Sequence, residues 1–239
     1  MGGGAGRVTT PDGKSRAPES ARALEIRWQR VHHLTQVQRV VTGVTIDTDE
    51  GEAEAAPAPA WTQPILVLVS DDLGEDELLD SLENETFIDE KIALASRAFR
   101  CVRMIPEDAA REPMLEGTGE AYPRLVLVDP LRSTTKVLDR ERELGPKPVY
   151  AAMRKVADGF FDGVKVDKLV KDHQKILAAL DKLAPDLFKV GEDLSAAEEK
   201  GDEGKAKRLR TEREKLEGER DELLEKQGQL WSDLKIAAV

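Results

Sequence analysis

The hydrophobic pattern changes period along the chain, and each change marks a different kind of element. "PILVLV", Pro64 to Val69, is apolar at every position. Alternation would expose one face, so a continuous run predicts a strand buried on both faces, beneath helices. "FRCVRMI" (Phe99 to Ile105) and "PRLVLVDP" (Pro123 to Pro130) repeat this density, and "TTKVLDR" adds a further strand. Between and after them the spacing turns helical, over about 75–84, about 89–98 and 147–161. The order βααβ, loop, ββα predicts a small α/β domain over 61–163.

From Val166 the period becomes a heptad. Val166, Leu169, His173, Ile176, Leu180, Leu183, Leu187, Val190, Leu194 and Ala197 alternate steps of three and four, which is the seam of a coiled coil. Pro185 lies inside this run and is expected to kink or restart the helix. "KGDEGK", Lys200 to Lys205, reads as a turn. Beyond it Leu209, Leu216, Leu223 and Leu230 recur every seven residues, while the complementary positions Arg213, Arg220 and Gln227 are polar. Residues 164–239 therefore predict an antiparallel helical hairpin, two helices of about 35 residues and about 50 Å at 1.5 Å per residue. Its thin second seam leaves room for a partner helix or a second copy. The pairs Arg208/Glu212, Arg213/Glu217 and Glu222/Lys226 support an exposed second helix.

Ahead of the α/β region, residues 1–20 are rich in Gly, Pro, Ser and Thr, which predicts a disordered tail. In 21–46 the positions Leu24, Trp28, Val31, Leu34, Val37 and Val41 are spaced as an amphipathic helix, although "VQRVVTGVTI" equally fits a strand. "DTDEGEAEAAPAPA", 47–60, is an acidic Ala/Pro linker.

Charge sharpens this division. Of a net −11, residues 46–163 hold 26 Asp/Glu against 13 Lys/Arg. Phosphate binding needs clustered cations, so nucleic acid is not an expected partner of the α/β domain. Cys101 is the only cysteine; it permits no internal disulfide, no Cys-x-x-Cys centre and no cysteine-rich zinc site, and fits a reducing, cytoplasmic location. No run approaches the roughly 18 apolar residues of a membrane span, and none resembles a signal peptide.

The α/β order, with "LENETFIDEKIALASRAFRCVRM" after the first helix and then "YPRLVLVDP", resembles the thioredoxin-like fold over about 61–161. The resemblance implies a cis-proline at Tyr122-Pro123, facing the redox motif and shaping a substrate groove. It places that motif at Asp76-Glu77-Leu78-Leu79, where both cysteines are missing. Dithiol exchange needs a low-pKa thiolate and a resolving thiol, and neither Asp nor Leu replaces them. The implied fold is a thioredoxin-like domain followed by a coiled-coil hairpin, without thioredoxin activity.

The remaining chemistry is sparse. Asp71, Asp72, Glu75, Asp76, Glu77 and Asp80 form an acidic patch, and Asp72, Asp76 and Asp80 share a helical face suited to a hard cation. Acidic residues in a first helical turn also serve the helix dipole. Cys101, in mid-strand, reads as a buried structural thiol. His32 and His33 form a pair with no ligand-spaced carboxylate in sequence. His173 is a polar residue in an aliphatic seam, either setting register or making a pH-sensitive contact. No phosphate loop or catalytic triad is present. The expectation is a redox-inactive interaction or scaffold module, oligomerising or docking a protein through Leu209, Leu216, Leu223, Leu230 and His173, with no catalytic residues, cofactor, metal or membrane contact. Two alternatives stand beside it: a thiol enzyme using Cys101, and a carboxylate-based metal-binding regulatory module.

Overall fold

A computed structural model of the chain describes residues 8–10, 13–34, 61–71, 76–232 and 234–237. The linker 47–60, the stretch 37–46, Asp72 and Glu75 lie outside the described residues. In chain order the strands are β1 (Val8–Thr9), β2 (Ser15–Arg16), β3 (Gln29–Arg30), β4 (Ile65–Val69), β5 (Arg100–Met104), β6 (Arg124–Asp129) and β7 (Thr134–Leu138). The helices are α1 (Pro18–Ala23), α2 (Glu77–Ser81), α3 (Glu90–Ala95), α4 (Pro106–Ala109), α5 (Glu141–Leu144), α6 (Pro146–Phe160), α7 (Val166–Glu199) and α8 (Glu203–Gln229). They fall into two compact units, one of residues 26–166 with 234–239, the other of 1–25 with 167–233.

The first unit is a mixed five-stranded sheet in the order β3-β5-β4-β6-β7. β3, β5 and β4 run parallel, while β6 is antiparallel to β4 and β7 to β6. β4 is central, and all five of its side chains are buried, as its unbroken apolar run requires. On one sheet face Ile65, Val67, Val69, Val102, Met104, Val126 and Val128 pack with Leu34, Ala109 and Leu115. The alternate residues Leu66, Leu68, Leu125 and Leu127 are also fully buried, and α6 packs against α3 and β6. After Val166 the chain leaves this unit and returns to it at Leu234. Ile236 bridges Phe161, Asp162 N–H donates to the Lys235 carbonyl at 2.8 Å, and Ala237 N–H donates to that of Phe160 at 2.9 Å.

The amphipathic helix expected from Ala21 is not formed over its described part. α1 ends at Ala23, and Gln29–Arg30 is instead a strand paired with Val102 and Arg103. The apolar residues that suggested a helix are used by the sheet unit: Trp28 lies 5.1 Å from the Phe87 ring, and Leu34 is buried in the core. Edge pairing and burial override local periodicity here.

In the second unit α7 and α8 form an antiparallel pair across a turn at Lys200–Gly201, where Gly201 has φ +67° and Asp202 caps α8. α7 runs through Pro185 as one helix, without the restart that a proline allows. One lost backbone hydrogen bond is outweighed by the buried stripe on both sides, Leu177, Leu180 and Leu183 before it and Val190 and Leu194 after it. The seam also differs in detail, with Val170 and Leu177 fully buried where Leu169 and Ile176 were expected. Residues 8–10 and 13–20 are ordered rather than a loose tail. β1 and β2 form a hairpin, Arg16 Nη1 meets Asp181 Oδ2 at 3.0 Å, Ala17 N–H donates to Asp181 Oδ1 at 2.7 Å, and the Ser20 hydroxyl donates to the Leu177 carbonyl at 3.3 Å. Polar side chains order this segment, so a scarcity of apolar residues does not reveal it. α8 has 27 residues, shorter than expected.

Candidate functional site

α2 is the next element after β4, at the position the sequence singled out. Asp76 is the helix N-cap, its Oδ1 accepting from the amides of Leu78 at 2.8 Å and Leu79 at 3.2 Å. The carboxylate thus satisfies two amides that a helix start leaves unpaired. Its partners are backbone groups, and none of the positions Asp76 to Leu79 holds a cysteine, Cys101 being the only one in the chain. Glu77 and Asp80 occupy the first turn, where negative charge is favourable. Among the described residues no group of three or more His, Cys, Asp or Glu side chains is arranged to hold a metal ion.

The helix continues past Ser81 as a wider π turn, Leu82–Thr86, which turns Glu83 toward β5 to pair with Arg103. Below it Leu82 and Thr86 are buried, and the Thr86 hydroxyl donates to the Leu144 carbonyl at 2.7 Å. A cleft of about 480 Å³ opens beside α2, with Glu77, Glu85 and Glu141 at its rim and Leu82 and Leu144 at its floor. At the start of β6 the Tyr122–Pro123 bond is cis, and the Tyr122 side chain is exposed. Arg124 beside it is buried, its Nη1 donating to the Ala121 carbonyl at 2.8 Å. Burial draws the Arg124 pKa down, opposed by the charge of Asp139.

Cys101 lies within β5, 5% exposed, its Sγ 3.7 Å from the Ser96 carbonyl. Burial pushes this thiol up to about 12, against the smaller opposing effects of that hydrogen bond and of Arg100. At neutral pH it is a thiol and not a nucleophilic thiolate.

Along the hairpin a second concavity is larger, about 750 Å³, lined by Leu183, Leu187 and Phe188 of α7, Arg213 and Arg220 of α8, and Pro18 of α1. Its cause is visible in the sequence of α8. Where a closed seam would place an aliphatic side chain, Arg213 turns along its own helix to Glu217 at 2.8 Å, and Arg220 turns to Asp221 at 3.0 Å. Near the turn, where Leu209 packs on Leu194, Ala197 and Ala206, the seam is closed. Leu216, Leu223 and Leu230 are only half-buried, and Phe188 remains 37% exposed.

The far end of the hairpin is fastened by His173, which is fully buried. Trp231 Nε1–H donates to its Nδ1 at 2.8 Å, and the Gln227 amide lies 2.9 Å from its Nε2. His173 of α7 thereby meets Gln227 of α8 and Trp231 just past its end, across 54 and 58 residues of sequence.

Tertiary structure also supplies carboxylates for the His32/His33 pair. His32 Nδ1 is 2.7 Å from Asp108 Oδ2, and His33 Nδ1 is 3.9 Å from Glu112 Oε2. Glu112 is buried and accepts the Leu34 amide at 2.9 Å, which ties the segment after β3 to the loop after α4. No sequence spacing signals these contacts, because their partners stand 76 to 79 residues away.

Comparison of the chain with protein-family models, with curated proteins and with solved structures found no match in any of the three.

Proposed function

We infer that this chain is a redox-inactive, thioredoxin-like interaction module whose helical hairpin docks a further helix, in the first instance that of a second copy. The thioredoxin-like assignment is supported by topology. Counting the sheet strands β3 to β7 as first to fifth, their order is first-third-second-fourth-fifth, with the fourth and fifth antiparallel. α2 follows the second strand and Pro123 directly precedes the fourth. Redox inactivity is supported by Asp76 occupying the helix start as a cap and by the burial of Cys101.

The observation that carries the docking role is the open groove on the hairpin. Leu183, Leu187 and Phe188 line it on a helix pair whose α8 side contributes arginines instead of a closing seam. Apolar side chains on a charged helix pair gain free energy when a third apolar helix face covers them. Light scattering of the chain and of a Leu216→Asp, Leu223→Asp variant tests the reading. The expected result is a mass above the 26.4 kDa of one chain, falling to it in the variant with helicity retained. A single-chain mass for the unsubstituted protein, or an equal mass for both, overturns it.

A further inference from the structure

At the opposite edge of the sheet from β3, strand β7 pairs with β6 on one side only. Its outer backbone edge is unpaired among the described residues, and Thr134, Thr135 and Lys136 are exposed. Directly along it lies a cleft of about 540 Å³, whose other wall is α6, presenting Ala152, Lys155, Val156 and Gly159. A strand edge beside a groove of this kind has the two parts of an extended-peptide site, main-chain groups for pairing and a pocket for alternate side chains.

The charge of this cleft is the reverse of the molecule's. Arg132, Lys136 and Lys155 line it against a single carboxylate, Asp129, in a chain of net charge −11. Asp129 is already engaged: Oδ1 accepts the amides of Leu131 at 3.1 Å and Arg132 at 3.2 Å, and Oδ2 meets Arg132 Nη1 at 2.8 Å. Among the described residues no ion pair engages Lys136 or Lys155. The register places Lys136 opposite Leu127 and Val137 opposite Val126. Lys136 therefore shares the α6 side with Lys155, while Val137 points to the other face.

A lysine on an exposed edge strand ordinarily blunts pairing. It does so against a second copy of this edge, because Lys136 and Lys155 would meet their own kind. An acidic strand meets no such barrier, and the lysines become its selectivity. We propose that β7 and α6 form a docking site for an extended acidic segment of a partner protein, which adds to the sheet as a sixth strand with its carboxylates toward Lys136 and Lys155. This site is separate from the hairpin groove, so either can fail without the other.

The test uses the full chain and a fluorescein-labelled ten-residue peptide of alternating Glu and Val, read by fluorescence anisotropy. Saturable binding is expected, weakening as salt rises from 50 to 200 mM, and absent for the Lys/Val counterpart. Lys136→Gln with Lys155→Gln should weaken it by about tenfold or more. Both side chains are exposed, and an unchanged melting temperature checks the fold. Of two peptides N-methylated at alternate amides, one set on each edge, one should lose binding. The Leu216→Asp, Leu223→Asp variant should bind the peptide as the original chain does. Absence of binding, equal binding of the Lys/Val peptide, or indifference to both lysine substitution and N-methylation overturns the proposal. So does a dimer that the lysine substitutions strengthen and the peptide displaces, which would seat a second copy on this edge.

Discussion

Single residues decide the chemistry here by what their neighbours do to them. A carboxylate at a helix start and a thiol in a central strand are both reactive types, yet Asp76 spends its Oδ1 on two backbone amides and Cys101 is sealed within β5. The Cys101 thiol, pushed up to about 12 by burial, should resist a maleimide or disulfide reagent at pH 7.5 in the native protein and react within seconds once denatured. Rapid native labelling would restore a thiol-based activity to consideration. The same shift has a stability consequence. In the unfolded chain a thiol titrates near pH ~8.5, so from there upward the unfolded state loses a proton that the native state keeps. The contribution is complete below that pH and lost progressively as pH rises toward 12. A Cys101→Ala variant should lack this part of the alkaline decline, measured as denaturant midpoint against pH between 8 and 11. Parallel declines in the two proteins would count against the burial.

At the scale of elements, what separates α7 from α8 is how each spends its heptads. α7 places an apolar or small residue at nearly every inward position, and α8 places one per heptad with arginine or glutamine between. The open groove is therefore a property of Arg213 and Arg220 more than of the turn that joins the helices. Replacing both by leucine should close it, because the shorter apolar side chains can pack on Leu183 and Leu187. Burying two leucines is worth about 1.5–3 kcal/mol each at most, so the hairpin should melt higher while self-association falls. A variant that melts higher and associates more strongly would mean that the arginines are not what holds the groove open. The same sequence pattern explains the legibility of this region. Seven-residue recurrence makes helices visible, and the polar residues at alternate seam positions already indicate an incomplete one. The burial of Val170 and Leu177 beside the expected positions Leu169 and Ile176 has no signal in the seven-residue spacing.

At the scale of the whole molecule, the chain leaves the sheet unit after Val166, forms the hairpin, and returns to that unit with residues 234–237. Removing residues 234–239 should cost the sheet unit two backbone hydrogen bonds, about 1–3 kcal/mol, and uncover Phe160 and Phe161. A lower melting temperature with hairpin helicity intact is the expected outcome, and an unchanged melt would show that the returning segment adds nothing. The sequence by itself determined what repeats or runs: the buried strands, whose unbroken apolar stretches admit one environment, the helical hairpin, whose period is seven, and the missing dithiol, which is a matter of residue identity. Only the tertiary structure decided what depends on distant partners. Trp28 and Leu34 joined the sheet unit, where local spacing had favoured a helix, because β5 offered backbone pairing and the core offered burial. Arg16 and Ser20 ordered a segment that composition had marked as loose, through contacts with residues more than 150 positions away. The cationic cleft between β7 and α6 belongs to the same class, since Lys136 and Lys155, 19 residues apart in sequence, line one cleft only when the strand and the helix pack side by side.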